Sequence, residues 1–302
     1  MLDSKMQIDR VEIEDFLRNN FKKDSKIIKE FSKNEVSRAF LFTAGGENFV
    51  IRVDSKLSNF QRDKYACEHF STLKIIIPQT LKLGEMKSGT FYSITRKLEG
   101  VIMDDLDRES FDKALSDFAS VVKTIHETDL SNTSGYGDWN PEDGNGYHKR
   151  WKDFLLSLKN SDYYNWNELF KRGIFEEELY SKLFKKMTDL SANLPEDRRL
   201  IHGDLGFSNI LIKDGKVSGV LDWGVSKYGD FVYDFAWLDF WARKTNYPEI
   251  LKPNYETKTL SNFNERILCY KLHVALTVLG FFALREDKEG YNDAKSRTLR
   301  FI

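Results

Sequence analysis

Apolar positions along this chain change their spacing at about residue 100. After Asp9 and Glu12, which sit at the interval of a helix-opening capping box, Ile13, Phe16 and Leu17 repeat along one helical face, predicting a first helix that ends near Asn20. From Ser25 to Val53 the pattern shortens to strand-like runs, SKIIKEF, SRAFLF and NFVIRV. The last two are joined by Ala44, Gly45 and Gly46, so the three predict an antiparallel meander. A helix over Asn59 to Leu73 and two further strands, Gln79 to Glu85 and Phe91 to Lys97, complete a sheet-rich first lobe.

Beyond Gly100 the helical period takes over. Leu115, Phe118, Val121, Val122 and Ile125 form one stripe of a helix predicted over Phe111 to Thr128. A loop rich in Gly, Asn and Asp follows from Ser131 to Gly146, then helices at Trp151 to Leu158 and Glu176 to Leu190. FVYDFAWLDFW and Ile267 to Leu284 read as helices near the end of the chain. The latter is interrupted by Lys271 and His273, so it is expected to be a buried helix and not a membrane span. The expected architecture is α+β in two lobes, an antiparallel sheet lobe over 1–98 and a helical lobe over 99–302.

One stretch breaks the helical half. In Leu200 to Trp223 two strand-like runs, Asn209 to Ile212 and Val217 to Leu221, flank Asp214 and Gly215, the residue pair of a tight hairpin turn. Folding about that turn brings Asn209 and Asp222 to the same open end, with Asp204 in the loop just before it. A lone Asp after His and Gly is more often a turn residue than a base. An amide and two carboxylates converging where strand pairing stops instead suit Mg²⁺, which takes hard oxygen ligands, with a base beside it.

Composition narrows the partners. The 302 residues carry a formal net charge of −1, so no global field attracts nucleic acid or an acidic membrane, and a charged ligand must be recognised locally. Cys67 and Cys269 are far apart, with no CxxC, so neither a disulfide framework nor a zinc site is indicated. The N-terminal stretch lacks the apolar run of a secretory signal. A cytoplasmic monomer is expected.

HGDLGFSN, with its His202, Asp204 and Asn209, resembles the HxDxxxxN catalytic loop of the aminoglycoside phosphotransferase family, and LDWG resembles the family's counterpart of the protein-kinase DFG motif. The runs EVSRAFLFTAGGENFVIRVDS, SGYGDWNPEDGNGYHKRWKDF and YGDFVYDFAWLDFW are similar, in the same order, to segments of its hygromycin B phosphotransferase branch. The resemblance implies a bilobal protein-kinase-like fold with a nucleotide cleft between the lobes. It implies that Asp204 accepts the proton of the attacking hydroxyl or orients it, while Asn209 and Asp222 hold Mg²⁺ on the phosphates of ATP or GTP. Arg52 stands where kinases carry a phosphate-binding lysine, a change that keeps the charge and adds bidentate geometry. Its helical counter-ion is expected to be Glu68 first and Asp63 second.

The first hairpin lacks GxGxxG and offers Ser32, Asn34 and Ser37 to the phosphates instead. The nucleotide base is expected against the backbone of the connection that includes Thr95, Arg96 and Leu98. His202 is expected to brace backbone, Asp230 and Asp234 to brace the catalytic loop, and His126 and His273 to be core histidines. Asp138, Glu142, Asp143 and Asp239 are either solvated acids or an acidic surface for an amino-substituted acceptor. The implied activity is transfer of the γ-phosphate to a hydroxyl of an aminoglycoside-type, hygromycin-like acceptor. A kinase of a metabolite alcohol such as choline, homoserine or a sugar shares the same catalytic set, and a nucleotide-binding regulator without catalysis is the reading from another class.

Overall fold

The computed structural model describes residues 10–31, 37–86, 89–161, 163–242 and 245–302. Asp9, Ser32 and Asn34, singled out in the sequence, lie outside the described residues. The chain divides into two compact units. The first takes the described residues up to Asp117 together with Phe207–Gly224, and the second takes Phe118–Gly206 with Val225–Ile302.

Helix α1 (Arg10–Asn20) is followed by β1 (Lys26–Glu30), β2 (Arg38–Ala44), β3 (Glu47–Asp54), α2 (Leu57–Phe70), β4 (Thr80–Glu85) and β5 (Phe91–Arg96). The strands form an antiparallel sheet in the order β1-β2-β3-β5-β4. The predicted meander is its first half, and β5 is then inserted between β3 and β4. Gly45 and Gly46, with φ of 59° and 78°, make the β2–β3 turn, where a left-handed backbone at both positions demands glycine. Ile13 and Leu17 of α1 bury against Ile27, Phe40, Phe42, Phe49 and Ile51. Burying such side chains is worth about 1.5–3 kcal/mol each relative to exposure, and this is what fixes α1 to the sheet.

After β6 (Val101–Ile102) comes α3 (Arg108–His126), which crosses the division between the units. The loop read from Ser131 to Gly146 contains β7 (Tyr136–Trp139) and leads into β8 (Gly146–His148). Its polar composition concealed these strands. They pair closely because Gly135 (φ 71°) and Gly146 meet with no room for a Cβ, which at residue 135 would fall 2.3 Å from the Gly146 carbonyl oxygen. Next are α4 (Trp151–Ser157), α5 (Trp166–Lys171), α6 (Glu177–Leu190), β9 (Arg199–Ile201), β10 (Ile210–Lys213), β11 (Lys216–Val220) and β12 (Lys227–Gly229).

The hairpin β10–β11 joins β6 in a small sheet of the first unit. Asp214 and Gly215 form its turn with φ of 52° and 74°, as expected for that residue pair. The Val217 amide donates to Asp117 at 2.7 Å and the Val220 amide to the Ile76 carbonyl at 2.9 Å, tying the hairpin into its unit. Ile210 pairs with Val220, and the Leu221 amide donates to the Asn209 carbonyl at 2.8 Å. Asn209 and Asp222 therefore stand at the open end of the hairpin.

The second unit holds the sheet β8-β7-β12-β9 and the remaining helices, α7 (Val232–Trp241), α8 (Tyr247–Leu251), α9 (Phe263–Leu284) and α10 (Lys288–Thr298). By length and composition alone α9 is apolar enough to cross a membrane, but 61% of its most apolar stretch is buried inside the protein. It packs against α6, α7 and α10 as the core helix. Its polar interruptions are satisfied laterally: Lys271 pairs with Asp239 at 2.6 Å, and His273 meets the Tyr233 hydroxyl at 3.0 Å.

Candidate active site

In the sheet unit the site is built around one arginine. Arg52 projects from β3, with its guanidinium 5.3 Å from the centre of the Phe60 ring. One guanidinium nitrogen donates to Asp63 Oδ2 at 2.6 Å, and another to Asp222 Oδ1 at 3.2 Å. Asp63 Oδ1 accepts the Trp223 amide at 2.7 Å. Its neighbour Arg62 donates to the Gly224 carbonyl at 2.9 Å. Helix α2 thus grips the two residues after Asp222 through their backbone, one donor and one acceptor, while Arg52 reaches Asp222 itself.

The expected order of counter-ions is corrected: the partner of Arg52 is Asp63, not Glu68. The cause is helical phase. Phe60, Asp63, Ala66 and Phe70 are the buried positions of α2, whereas the half-exposed Glu68 lies 3.7 Å from Lys64. Burial opposes the Arg52 charge, but Asp222 and Asp63 outweigh it and hold the guanidinium firmly protonated. Burial pushes the Asp63 carboxyl up to about 6, against the pull of Arg52 and of the Trp223 amide, with the Asp222 charge adding to the push.

Asp222 is a non-glycine residue in the left-handed region, φ 60°, and its side chain is 37% exposed. Asn209 closes the 3₁₀ turn Phe207–Asn209 that precedes β10. Together they present one amide and one carboxylate, both hard oxygen donors. Among the described residues no cluster of three or more His, Cys, Asp or Glu side chains is arranged for a metal. That is no obstacle for Mg²⁺, which is commonly held by one or two protein oxygens with phosphate oxygens and water completing its shell. The donor set fits that mode and does not fit a closed protein cage.

The helical unit carries Asp204. Asp204 follows β9 in a loop whose shape is set by Gly203, at φ 81°. A Cβ there would lie 2.5 Å from both Lys227 Nζ and the Val225 carbonyl oxygen. The amides of His202 and Gly203 donate to the two oxygens of Asp234 at 2.9 and 2.8 Å. His202 Nδ1 accepts the Asp204 amide at 3.3 Å, the backbone-bracing role expected of it. Burial alone would raise the Asp234 carboxyl. Its hydrogen bond from His126 at 2.9 Å, the nearby His126 and His202, and the Gly203 amide together hold it below the usual range. Asp230, also buried, accepts both Arg266 Nε and Nη2, at 2.8 and 2.5 Å, and the Tyr270 hydroxyl at 2.5 Å. Asp234 braces the loop that carries Asp204, as expected, whereas Asp230 binds Arg266 and Tyr270 of α9.

The other candidates are placed as follows. Ser37 is buried just before β2. Thr95 and Arg96 end β5, where Arg96 pairs with Glu47 at 3.0 Å. Leu98 packs against Gly219 so closely that a Cβ there would meet it at 2.7 Å. Of the acids considered for an acceptor, Asp239 is neutralised by Lys271 and Asp143 caps the Asn145 amide of its own turn. Arg62 escaped the sequence reading; its signal was only its place beside Asp63.

These contacts set a strand-borne cation between a helix aspartate and the LDWG segment, the residue types expected of a phosphotransferase. The chain belongs to the phosphotransferase enzyme family, which residues 27–254 match. It is 31% identical over 240 residues to hygromycin-B 4-O-kinase of Escherichia coli, covering 78% of this chain and 68% of that protein. It is 28% identical over 215 residues to an aminoglycoside 3′-phosphotransferase of Enterococcus faecalis, covering 67% of this chain and 75% of that one. Among solved structures, aminoglycoside phosphotransferase APH(4)-Ia matches with a TM-score of 0.85 at 27% identity, over 97% of this chain and 98% of that chain. A thermostable mutant of it in ternary complex with AMP-PNP and hygromycin B matches with a TM-score of 0.84 at 28% identity, over 96% and 97% of the two chains. The protein is thus an enzyme, a phosphotransferase with the kinase-like fold of the aminoglycoside phosphotransferases.

Proposed function

We propose that the enzyme transfers the γ-phosphate of ATP or GTP to a hydroxyl of an aminoglycoside-type acceptor, with hygromycin B the first to test. The observation that carries this reading is Arg52 spanning Asp63 and Asp222, a phosphate-sized cation already oriented toward a metal-type carboxylate. The likeness to a hygromycin-B 4-O-kinase supports the acceptor class.

Phosphoryl transfer needs little covalent help from a protein, so the residues act by alignment and charge. Asp204 takes the proton of the acceptor hydroxyl or orients its lone pair. Arg52 clasps phosphate oxygens, with its guanidinium held in plane by Asp63. Asn209 and Asp222 would hold Mg²⁺, which when bound offsets the charge of the phosphates. Ser37 would help to cover the phosphates, and the backbone from Thr95 to Leu98 would receive the base. Free thiols at Cys67 and Cys269 suit a reducing cytoplasm.

Mass spectrometry of reactions containing Mg-ATP or Mg-GTP tests this. The acceptors are hygromycin B, other aminoglycosides, choline, homoserine and simple sugars. A phosphate-sized mass gain on hygromycin B is expected, and Asp204→Ala should lower turnover by about 10²- to 10⁴-fold while nucleotide still binds. Transfer confined to choline, homoserine or a sugar would move the enzyme to the metabolite kinases. Tight Mg-nucleotide binding with no transfer to any acceptor would make it a regulator.

A further inference from the structure

Asp234 accepts the two backbone amides that lead into Asp204, and its third partner is a histidine whose other nitrogen is also engaged. His126 Nε2 lies 2.9 Å from Asp234 Oδ2, and His126 Nδ1 lies 2.7 Å from the Tyr255 hydroxyl. All of these groups belong to the helical unit. His126, His202 and Asp234 are essentially shut off from solvent, at 1%, 0% and 0% exposure.

Proton placement follows from donor and acceptor counting. A carboxylate receiving the His202 and Gly203 amides is an acceptor, so the ring nitrogen that faces it must carry the hydrogen. In a neutral imidazole the opposite nitrogen then offers a lone pair, and only a donor satisfies it. The Tyr255 hydroxyl, 2.7 Å from Nδ1, is placed to be that donor. Burial raises its pKa and keeps it protonated. Its ring is fixed by a parallel stack on Phe231, with centroids 4.6 Å apart, and an edge contact with Phe235 at 5.3 Å. The tyrosine comes from the segment between α8 and α9, remote in sequence from both the histidine and the catalytic loop.

We propose that Tyr255 is a positioning residue: its hydroxyl selects the Nε2–H tautomer of His126, and Asp234, held by that hydrogen, sets the direction of the His202 and Gly203 amides ahead of Asp204. Without the hydroxyl the Nδ1–H tautomer becomes available, and it turns a lone pair toward Asp234 Oδ2. The pair would separate, and the amides that share the carboxylate would follow it. Beside this link lies a cleft of about 220 Å³ lined in part by His126, Tyr255, Phe231, Lys123 and Arg199. Water entering there is the competing donor that the experiment must distinguish. The proposal gives Tyr255 a part in the phosphotransfer described above and so rests on that reading for its effect on rate, but not for the tautomer.

The test is ¹⁵N NMR of the full chain, wild type and Tyr255→Phe, with the His126 ring signals assigned by their loss in His126→Gln. Wild type should show a protonated Nε2 and an unprotonated Nδ1. Tyr255→Phe should gain Nδ1–H population and move the His202 and Gly203 amide resonances. Its turnover should fall by about 10-fold, within the range of about 10²-fold for displacement of a catalytic group, with KM for nucleotide and acceptor unchanged and the thermal midpoint retained. A wild-type signature of Nδ1–H would overturn the proposal, and this spectrum decides it alone if the phenylalanine variant does not fold. Unchanged ring and amide signals in a folded Tyr255→Phe would overturn it equally, with water then supplying the donor. Transfer to no acceptor would sink the proposed function while the spectra still decide the role of Tyr255.

Discussion

Arg52 and Asp63 meet at 2.6 Å across the sheet unit, strand to helix, and the same carboxylate that holds the guanidinium also accepts the amide next to Asp222. One side chain therefore fixes both the cation proposed to bind phosphate and the segment proposed to hold the metal. A longer carboxylate elsewhere on α2 would not serve, because only the buried face of the helix points at Arg52.

Replacing either acid of α2 separates the two assignments. Asp63→Ala strips a partner from a largely buried ion pair and leaves the Trp223 amide without its acceptor. It should cost about 3 kcal/mol in urea unfolding. Glu68→Ala touches only a solvated contact with Lys64 and should leave both the unfolding midpoint and the nucleotide KM where they are.

Arg52→Lys keeps the charge and loses the fork. A lysine cannot reach Asp63 and Asp222 together, so the nucleotide KM should rise by about 10-fold, equivalent to about 1.4 kcal/mol. Steady-state kinetics at saturating acceptor would show this. A KM equal to that of the wild type would mean that Arg52 serves the fold and not the phosphates.

Gly203→Ala places a methyl group against Lys227 Nζ and the Val225 carbonyl at a backbone angle that alanine rarely adopts. Strain of this kind is worth about 1–3 kcal/mol, and the loop carrying Asp204 has to absorb it. Thermal denaturation should register a lower midpoint, and turnover should drop more than nucleotide binding does.

His273 supplies a pH dependence with a definite sign. Burial, together with the neighbouring Lys227 charge, lowers its pKa from the ordinary 6.5 to about 3. The folded chain keeps the ring neutral while the unfolded chain protonates it below about 6.5. Its contribution to stability is therefore complete above pH 6.5 and is lost progressively as pH falls toward 3. Urea titrations between pH 7 and 4 should show a declining stability that is shallower in His273→Gln; identical slopes would exclude the histidine as the cause.

Periodicity revealed most of the larger elements because their burial is one-sided. The stripe Leu115 to Ile125 became α3, and the alternation of SRAFLF and NFVIRV became β2 and β3. The hairpin β10–β11 was readable from Asp214 and Gly215 set between two strand-like runs, since few other residue pairs take two successive positive φ values. Strands β7 and β8 were not, because glycine contact and not an apolar pattern brings them together. The short helices α5 and α8 each open with an Asn cap, Asn165 and Asn246, but are too brief to establish a period. At the site, the motifs marked Asp204, Asn209 and Asp222, but the choice between Glu68 and Asp63 needed helical phase. Phe60, Asp63 and Phe70 share a buried face, a spacing that was present in the sequence. The link from Tyr255 to His126 joins positions 129 residues apart and had no local trace.

The left-handed backbone at Asp222 has a bearing on how this site tolerates random variation. Apart from glycine, Asn and Asp are the residues that enter that region most readily, because their short polar side chains bond locally. A library randomised at position 222 and sorted only for soluble, folded protein should return Gly, Asn and Asp ahead of the rest. Two of those three survivors carry an oxygen that a hard cation accepts. Conformation here pre-filters the alphabet toward ligands, so a screen blind to chemistry would still enrich for the chemistry.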